Sequence, residues 1–278
     1  MCGSTATQPP ESNISHEAEL PPGPVHAALP LVPAVQVRPC AYGGTSFARS
    51  NGMDTSFNPR DVPYADRVEA GAELAGHLRR YAGRSGVIVL GLPRGGVPVA
   101  ATVASALGVP LDVFVVRKLG VPGQRELAIG AIASGGARVL NHDLIDRLGI
   151  APLMVATVVA EEEKELARRE RLYRRDRPPL NLAGQTVILV DDGLATGSTM
   201  LAAVKAVREL AAARVVVAVP VGSIETCRQL EQFADEVTCA RMPRHLMAVG
   251  MWYLDFSQTT DDEVRRLLDA PARAGTAG

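Results

Sequence analysis

At 278 residues, 47% of them apolar, the chain can bury one large core or two small ones, which excludes a wholly disordered or fibrous protein. Lys and Arg number 29 against 30 Asp and Glu, so no global field draws it to nucleic acid or to an anionic membrane, and recognition must rest on local charge. No apolar run reaches the roughly 18 residues of a spanning helix, no basic-then-apolar leader opens the chain, and Cys2, Cys40, Cys227 and Cys239 form no C-x-x-C pair that would suggest zinc or a disulfide framework. A cytoplasmic protein is expected.

Residues 1–61 are crowded with Pro, Gly, Ser and Thr and carry no sustained period, so a disordered N-terminal tail is expected there, with Met53 a candidate initiator. Residues 62–270 are expected to form the folded domain and 271–278 a flexible C-terminus. Val68, Ala72, Ala75 and Leu78 recur at helical spacing and predict an amphipathic helix over 64–81. An apolar run at 87–92 predicts the first strand, closed by Pro93, Gly95 and Gly96, and a helix follows over 97–107, ended by Gly108 and Pro110. After a strand at 112–116, the polar stretch 117–126 with its Gly and Pro is expected to be a mobile connection. Short strands are predicted at 129–133 and 137–140. Asn141, His142 and Asp143 read as the cap of a short helix over 144–148, which leaves His142 without a chemical role.

A long helix is predicted over 152–176, with Pro152 in its first turn, pairs of Glu165 with Arg169 and Glu170 with Arg174, and a stop at Pro178 and Pro179. Its basic end, Arg168, Arg169, Arg171, Arg174, Arg175 and Arg177, reads as a solvated face, so nucleic acid is not expected as a partner. Strands at 187–190, 214–219 and 236–240 alternate with helices at 198–212 and 223–233. That alternation predicts an α/β fold: a mainly parallel twisted sheet with helices on both faces.

In such a sheet, ligands bind at the carboxyl ends of the strands. Asp191 and Asp192 stand there, followed by Gly193, Leu194, Ala195, Thr196, Gly197, Ser198 and Thr199 at the mouth of a helix. Open amides at a helix start, with hydroxyls as extra donors, make a phosphate cradle. The two carboxylates would repel a phosphate, so they should face hydroxyls or a metal, as a ribose with its magnesium would provide. The nucleotide-hydrolase loop is excluded because Ser198 follows Gly197 with no lysine between, and neither 91–96 nor 193–197 supplies G-x-G-x-x-G. No G-x-S-x-G elbow supports a serine hydrolase.

The segment Val-Ile-Leu-Val-Asp-Asp-Gly-Leu-Ala-Thr-Gly-Ser-Thr, 187–199, resembles the phosphoribosyl pyrophosphate signature of type I phosphoribosyltransferases. The resemblance implies that Asp191 and Asp192 hold the ribose hydroxyls and magnesium. It also implies that Leu194, Ala195, Thr196, Gly197, Ser198 and Thr199 grip the ribose phosphate. Gly-Leu-Pro-Arg-Gly-Gly at 91–96 is similar to the family's pyrophosphate loop, which often contains a strained peptide, with Arg94 as a forked donor and Gly95 and Gly96 allowing unusual backbone angles. Residues 117–126 correspond to its closing loop, which would bring Arg117, Lys118 and Arg125 to the pyrophosphate, with Lys118 acting on the leaving group.

A hood over the acceptor is expected at 242–256. Its segment Met-Ala-Val-Gly-Met-Trp-Tyr-Leu-Asp-Phe resembles that of hypoxanthine-guanine phosphoribosyltransferase, with Asp255 matching a magnesium-holding aspartate. The stacking aromatic of that enzyme is Met247 or Ala248 here, and its phosphate-loop aspartate is Ala195; the Asp-Asp-Gly-Leu-Ala-Thr-Gly wording is closer to adenine phosphoribosyltransferase. Trp252 and Tyr253 either stack on a base or pack in the core.

The resemblance covers 64–268 and is nearest a bacterial, poorly assigned branch with the Arg-Lys-Leu-Gly-x-Pro-Gly and Glu-Leu-Ala-Ile-Gly-Ala wording. It implies magnesium-dependent transfer from phosphoribosyl pyrophosphate to a purine-like, nucleobase-type acceptor, in a homodimer by the family's habit. Two alternatives remain open: a regulator that senses phosphoribosyl pyrophosphate without turnover, and a hydrolase transferring the ribosyl group to water.

Overall fold

The computed structural model describes residues 62–121 and 124–270; the expected tail over 1–61 and the C-terminal 271–278 lie outside the described residues. Helix α1 (Arg67–His77) starts where the Asp66 carboxylate accepts from the amides of Val68 and Glu69. Strand β1 (Val87–Gly91) leads into α2 (Gly96–Leu107), which ends on Gly108 at φ 64, a left-handed turn that glycine takes without a Cβ penalty. Then come β2 (Leu111–Val113), β3 (Val116–Val121), β4 (Gln124–Ala133) and β5 (Ala137–Leu140). Helix α3 (His142–Arg147) is capped by the Asn141 side chain, and α4 (Pro152–Arg174) begins on its proline. The chain closes with β6 (Thr186–Val190), α5 (Ser198–Glu209), β7 (Arg214–Val221), α6 (Ile224–Leu230), β8 (Glu236–Arg241) and α7 (Asp261–Asp269).

Five strands form one sheet in the order β2-β1-β6-β7-β8, and every pairing is parallel. Parallel strands need both faces covered, which is why β6 is apolar from Val187 to Val190 instead of alternating with polar residues. Val187 and Leu189 face α5 and α6, packing with Met200, Ala203, Val204 and Val207. Ile188 and Val190 face α1 and α2, packing with Leu74, Leu78, Val99 and Val103. The strand order reverses between β1 and β6, and their carboxyl ends border one crevice, the place where open α/β sheets take ligands. Among the described residues no helix is long and apolar enough to cross a membrane.

The stretch expected to be a mobile connection is instead half of a second, antiparallel sheet in the order β3-β4-β5. Its strand signal was masked because only one face is apolar. Leu119 and Ile129 are fully buried against α4 residues Val159, Leu166 and Tyr173, while the charges of Arg117 and Lys118 dominate the sequence. The pairing is irregular around Gly120, the residue that had read as a loop.

Of the two pairs expected on α4, Glu165 with Arg169 forms at 2.8 Å. Arg174 does not pair with Glu170: it turns inward to the buried Asp112 of β2, with Nη2 to Oδ2 at 3.1 Å and Nε to Oδ1 at 3.2 Å, and Arg177 stands 3.7 Å from the same carboxylate. An exposed pair one turn apart contributes only about 0.3–0.5 kcal/mol, whereas Asp112 buried without a cation would be far costlier. This part of the helix's basic end therefore docks the helix to the sheet. Asp112→Ala should lower stability by roughly 3 kcal/mol, read as a lower urea midpoint at unchanged slope, while Glu170→Ala should change it by less than about 0.5 kcal/mol.

Candidate active site

The loop after β1 and the acids after β6 are pressed together. A Cβ on Gly95 would lie 2.0 Å from Asp192 Oδ2, and one on Gly96 would lie 2.7 Å from the Val190 carbonyl and 2.8 Å from Asp191 Cα. Gly95 has an ordinary helical φ of −60°, and Gly96 opens α2. The two glycines therefore serve close approach, which corrects the expectation that they supply unusual backbone angles. The peptide between Pro93 and Arg94 is cis. Arg94 Nη1 stands 3.7 Å from Asp261 Oδ1 at the start of α7, and the Tyr173 hydroxyl of α4 donates to that same oxygen at 2.7 Å.

Both carboxylates face this loop. The Asp192 amide donates to Asp191 Oδ1 at 2.9 Å. Asp192 Oδ2 accepts from Arg67 Nε at 3.0 Å and Nη2 at 2.9 Å. Burial, reinforced by the neighbouring Asp192 carboxylate, pushes the Asp191 carboxyl well above the usual carboxylate range. Burial raises Asp192 as well, against the opposing pull of Arg67.

The loop from Gly193 to α5 is fixed from behind. The Leu194 amide donates to the Val221 carbonyl at 2.8 Å and its carbonyl accepts from Ser223 N at 3.1 Å. Leu194 is thus a buried anchor whose amide is already used, not one of the phosphate donors expected of it. Gly222 lets this happen, since a Cβ there would meet Cys227 Sγ at 3.0 Å, Leu194 Cβ at 3.1 Å and Cys239 Sγ at 3.2 Å. Thr226 Oγ1 donates to the Ala195 carbonyl at 2.7 Å, and Gly197, at φ 68, turns the chain into α5. Among the described residues no side chain caps that helix, so the amides of its first turn, beginning with Ser198 and Thr199, are open to a ligand beside the exposed Thr196 and Ser198 hydroxyls.

Lys118 Nζ donates to Ser198 Oγ at 2.6 Å, so the β3 arm already touches the start of α5. Arg117 does not join it: its Nε lies 2.7 Å from Glu162 Oε2 on α4. Consecutive residues of a strand point to opposite faces, so the chain cannot deliver both cations to one pocket. The side chain of Arg125 lies outside the described residues.

In the hood, Tyr253 is buried, its ring 5.6 Å from Tyr64 and 5.1 Å from Phe256, and its hydroxyl donates to the Asp192 carbonyl at 2.5 Å. Trp252 packs against the same cluster. Tyr253 thus packs in the core, while Trp252 stays half-buried at the edge of the cluster. Val249 covers Gly193, where a Cβ would lie 2.4 Å from Val249 Cγ1. Asp255 Oδ1 accepts from the Ser257 amide at 2.9 Å within its own exposed turn, a bond that holds its carboxyl below the usual range. Among the described residues no three His, Cys, Asp or Glu side chains gather as a metal site, so Asp255 does not cluster with Asp191 and Asp192 as expected. The residue that sequence reasoning missed is Arg67, 125 positions from its partner. One signal was available: a cation in the first turn of a helix opposes the helix dipole and invites the question of what else holds it there.

The family model for the phosphoribosyl transferase domain matches residues 64–243. The Mycobacterium tuberculosis protein named "Putative phosphoribosyl transferase Rv0571c" is 46% identical over 210 residues, which are 76% of this chain and 47% of that one, so the chain spans about half the length of this relative. The crystal structure of TT1426 from Thermus thermophilus overlays with a TM-score of 0.67 at 43% identity, over 74% of this chain and 98% of that one. With its parallel sheet, its paired acids and its open helix start in the matched segment, the chain belongs to the phosphoribosyl transferase domain family.

Proposed function

We propose that this chain transfers a phosphoribosyl group from phosphoribosyl pyrophosphate, presented with Mg2+, to a ring nitrogen of a purine-like base. The bond from the anomeric carbon to a pyrophosphate oxygen breaks, one to the ring nitrogen forms, the proton of that nitrogen passes to solvent, and pyrophosphate leaves. The observation that carries this reading is the juxtaposition at one sheet edge of two carboxylates with an uncapped helix start, closed on a third side by Lys118. The open amides of α5 with Thr196, Ser198 and Thr199 would hold the ribose phosphate, Asp191 and Asp192 the ribose hydroxyls, and Arg94 and Lys118 the departing group.

The acids fit the metal that this donor carries. Asp191 Oδ2 and Asp192 Oδ1 accept no hydrogen bond from a described residue, and Mg2+ characteristically takes one or two carboxylates together with substrate phosphates. Bound there, Mg2+ would offset the charge of the leaving pyrophosphate. One observation favours binding without turnover as a second reading: Met247, one of the two residues that stand where the family's stacking aromatic is expected, is almost fully exposed, and Tyr253 of the hood is buried. Cytoplasmic residence and pairing with a second copy are part of the same proposal.

In isothermal titration with phosphoribosyl pyrophosphate and Mg2+, the Asp191→Asn, Asp192→Asn double variant should bind about 100-fold more weakly than wild type, since each lost charge-assisted contact is worth roughly tenfold. Equal affinity would remove the carboxylates from the site. A pyrophosphate-release screen over a nucleobase panel separates the two readings: turnover with at least one base supports transfer, and binding without release with any base supports the sensor. Lys118→Ala should lower kcat/KM by about 100-fold with little change in thermal midpoint, as expected for an exposed donor to a leaving group. An Arg117→Ala variant should instead loosen the arm from α4 and reduce stability more than Lys118→Ala does.

A further inference from the structure

We infer that Arg67 is a positioning residue for the ribose site, holding the Asp192 carboxylate in one orientation and joining it to the hood. This inference rests on the phosphoribosyl reading and deepens it. The Arg67 side chain is 11% exposed, and all its hydrogen-bonding branches are engaged. Nε and Nη2 both donate to Asp192 Oδ2, Nη1 donates to the Ser257 carbonyl at 2.9 Å, and the guanidinium lies 4.2 Å from the Phe256 ring centroid and 5.8 Å from that of Tyr253. A planar cation stacked on one ring and forked onto one oxygen has little freedom, and neither has the carboxylate it grips.

Asp192 Oδ2 is held between this fork and the Gly95 backbone, where even a Cβ would not fit. Oδ1 is thereby fixed as the oxygen presented to a ligand. The connection extends to the hood through the backbone. Tyr64 N donates to the Trp252 carbonyl at 2.9 Å, Leu254 N to the Tyr64 carbonyl at 2.7 Å and Asp255 N to the Ala65 carbonyl at 2.9 Å. The segment leading into α1 and the segment over the acceptor side are therefore one unit, and Arg67 is its contact with the ribose acid. Lysine could supply the charge but neither the fork nor the flat face.

The test is a double-mutant cycle on affinity for phosphoribosyl pyrophosphate with Mg2+, using wild type, Arg67→Met, Asp192→Asn and the double variant. The expected result is a roughly tenfold loss for Arg67→Met in the wild-type background and less than a twofold further loss once Asp192 is Asn, because Arg67 acts through that carboxylate. Arg67→Lys should recover less than half of the loss on a logarithmic scale, and it runs the same cycle should Arg67→Met fail to fold. Equal losses in both backgrounds, or full recovery by lysine, would overturn the positioning role while leaving the reading of the site intact. A wild-type chain with no affinity for the donor would overturn that reading, and this inference with it.

Discussion

The arrangement depends on how closely two backbones approach at the carboxyl ends of β1 and β6. The strands pair in parallel through Gly91 opposite Val190, and the loops that follow carry glycines on one side and acids on the other. Because Gly95 and Gly96 carry no Cβ, the loop after β1 lies directly against Asp191 and Asp192. Any side chain there would displace a carboxylate. The same economy recurs behind the loop that follows β6, where Gly222 admits Leu194 and the Leu194 amide is tied to β7. The ligand-facing groups are thus placed by main-chain packing, which costs little reorganisation when a ligand arrives.

Around this rigid edge the remaining elements act as braces. Helix α4 reaches three parts of the molecule: Glu162 holds Arg117 of the arm, Tyr173 holds Asp261 beside Arg94, and Arg174 holds Asp112 of β2. The arm brings Lys118 to Ser198 while Arg117 stays on the brace, a division of labour set by strand alternation. On the other side Arg67 and Tyr253 both end on Asp192, one on its carboxylate and one on its carbonyl. The second acid is therefore constrained from the loop, from α1 and from the hood.

The centre of the sheet was legible in the sequence because β1, β6 and β7 are nearly continuous apolar runs closed by Gly, Pro or Asp, and the family signature was legible because its residues are contiguous. What was not legible depended on pairing across long separations. Arg67 looked like ordinary helix charge, and nothing near it in sequence announces Asp192. Arg117 and Lys118 read together because they are neighbours, although their alternation along β3 sends one to Glu162 and the other to Ser198. Arg174 was assigned to the partner one turn away, when a buried carboxylate on β2 was the stronger claim on it. The glycines after β1 stand out in the sequence for the backbone angles they permit; the need for close approach appears only once the opposing acids are in place.

The central claim is that the paired acids and the open start of α5 grip two ends of one sugar phosphate. An experimental structure with phosphoribosyl pyrophosphate and Mg2+ bound tests it most directly. The account predicts the ribose phosphate on the amides of Ser198 and Thr199, with the ribose hydroxyls within hydrogen-bond reach of Asp191 and Asp192. A donor bound elsewhere, or bound with its ribose turned away from both carboxylates, would contradict it.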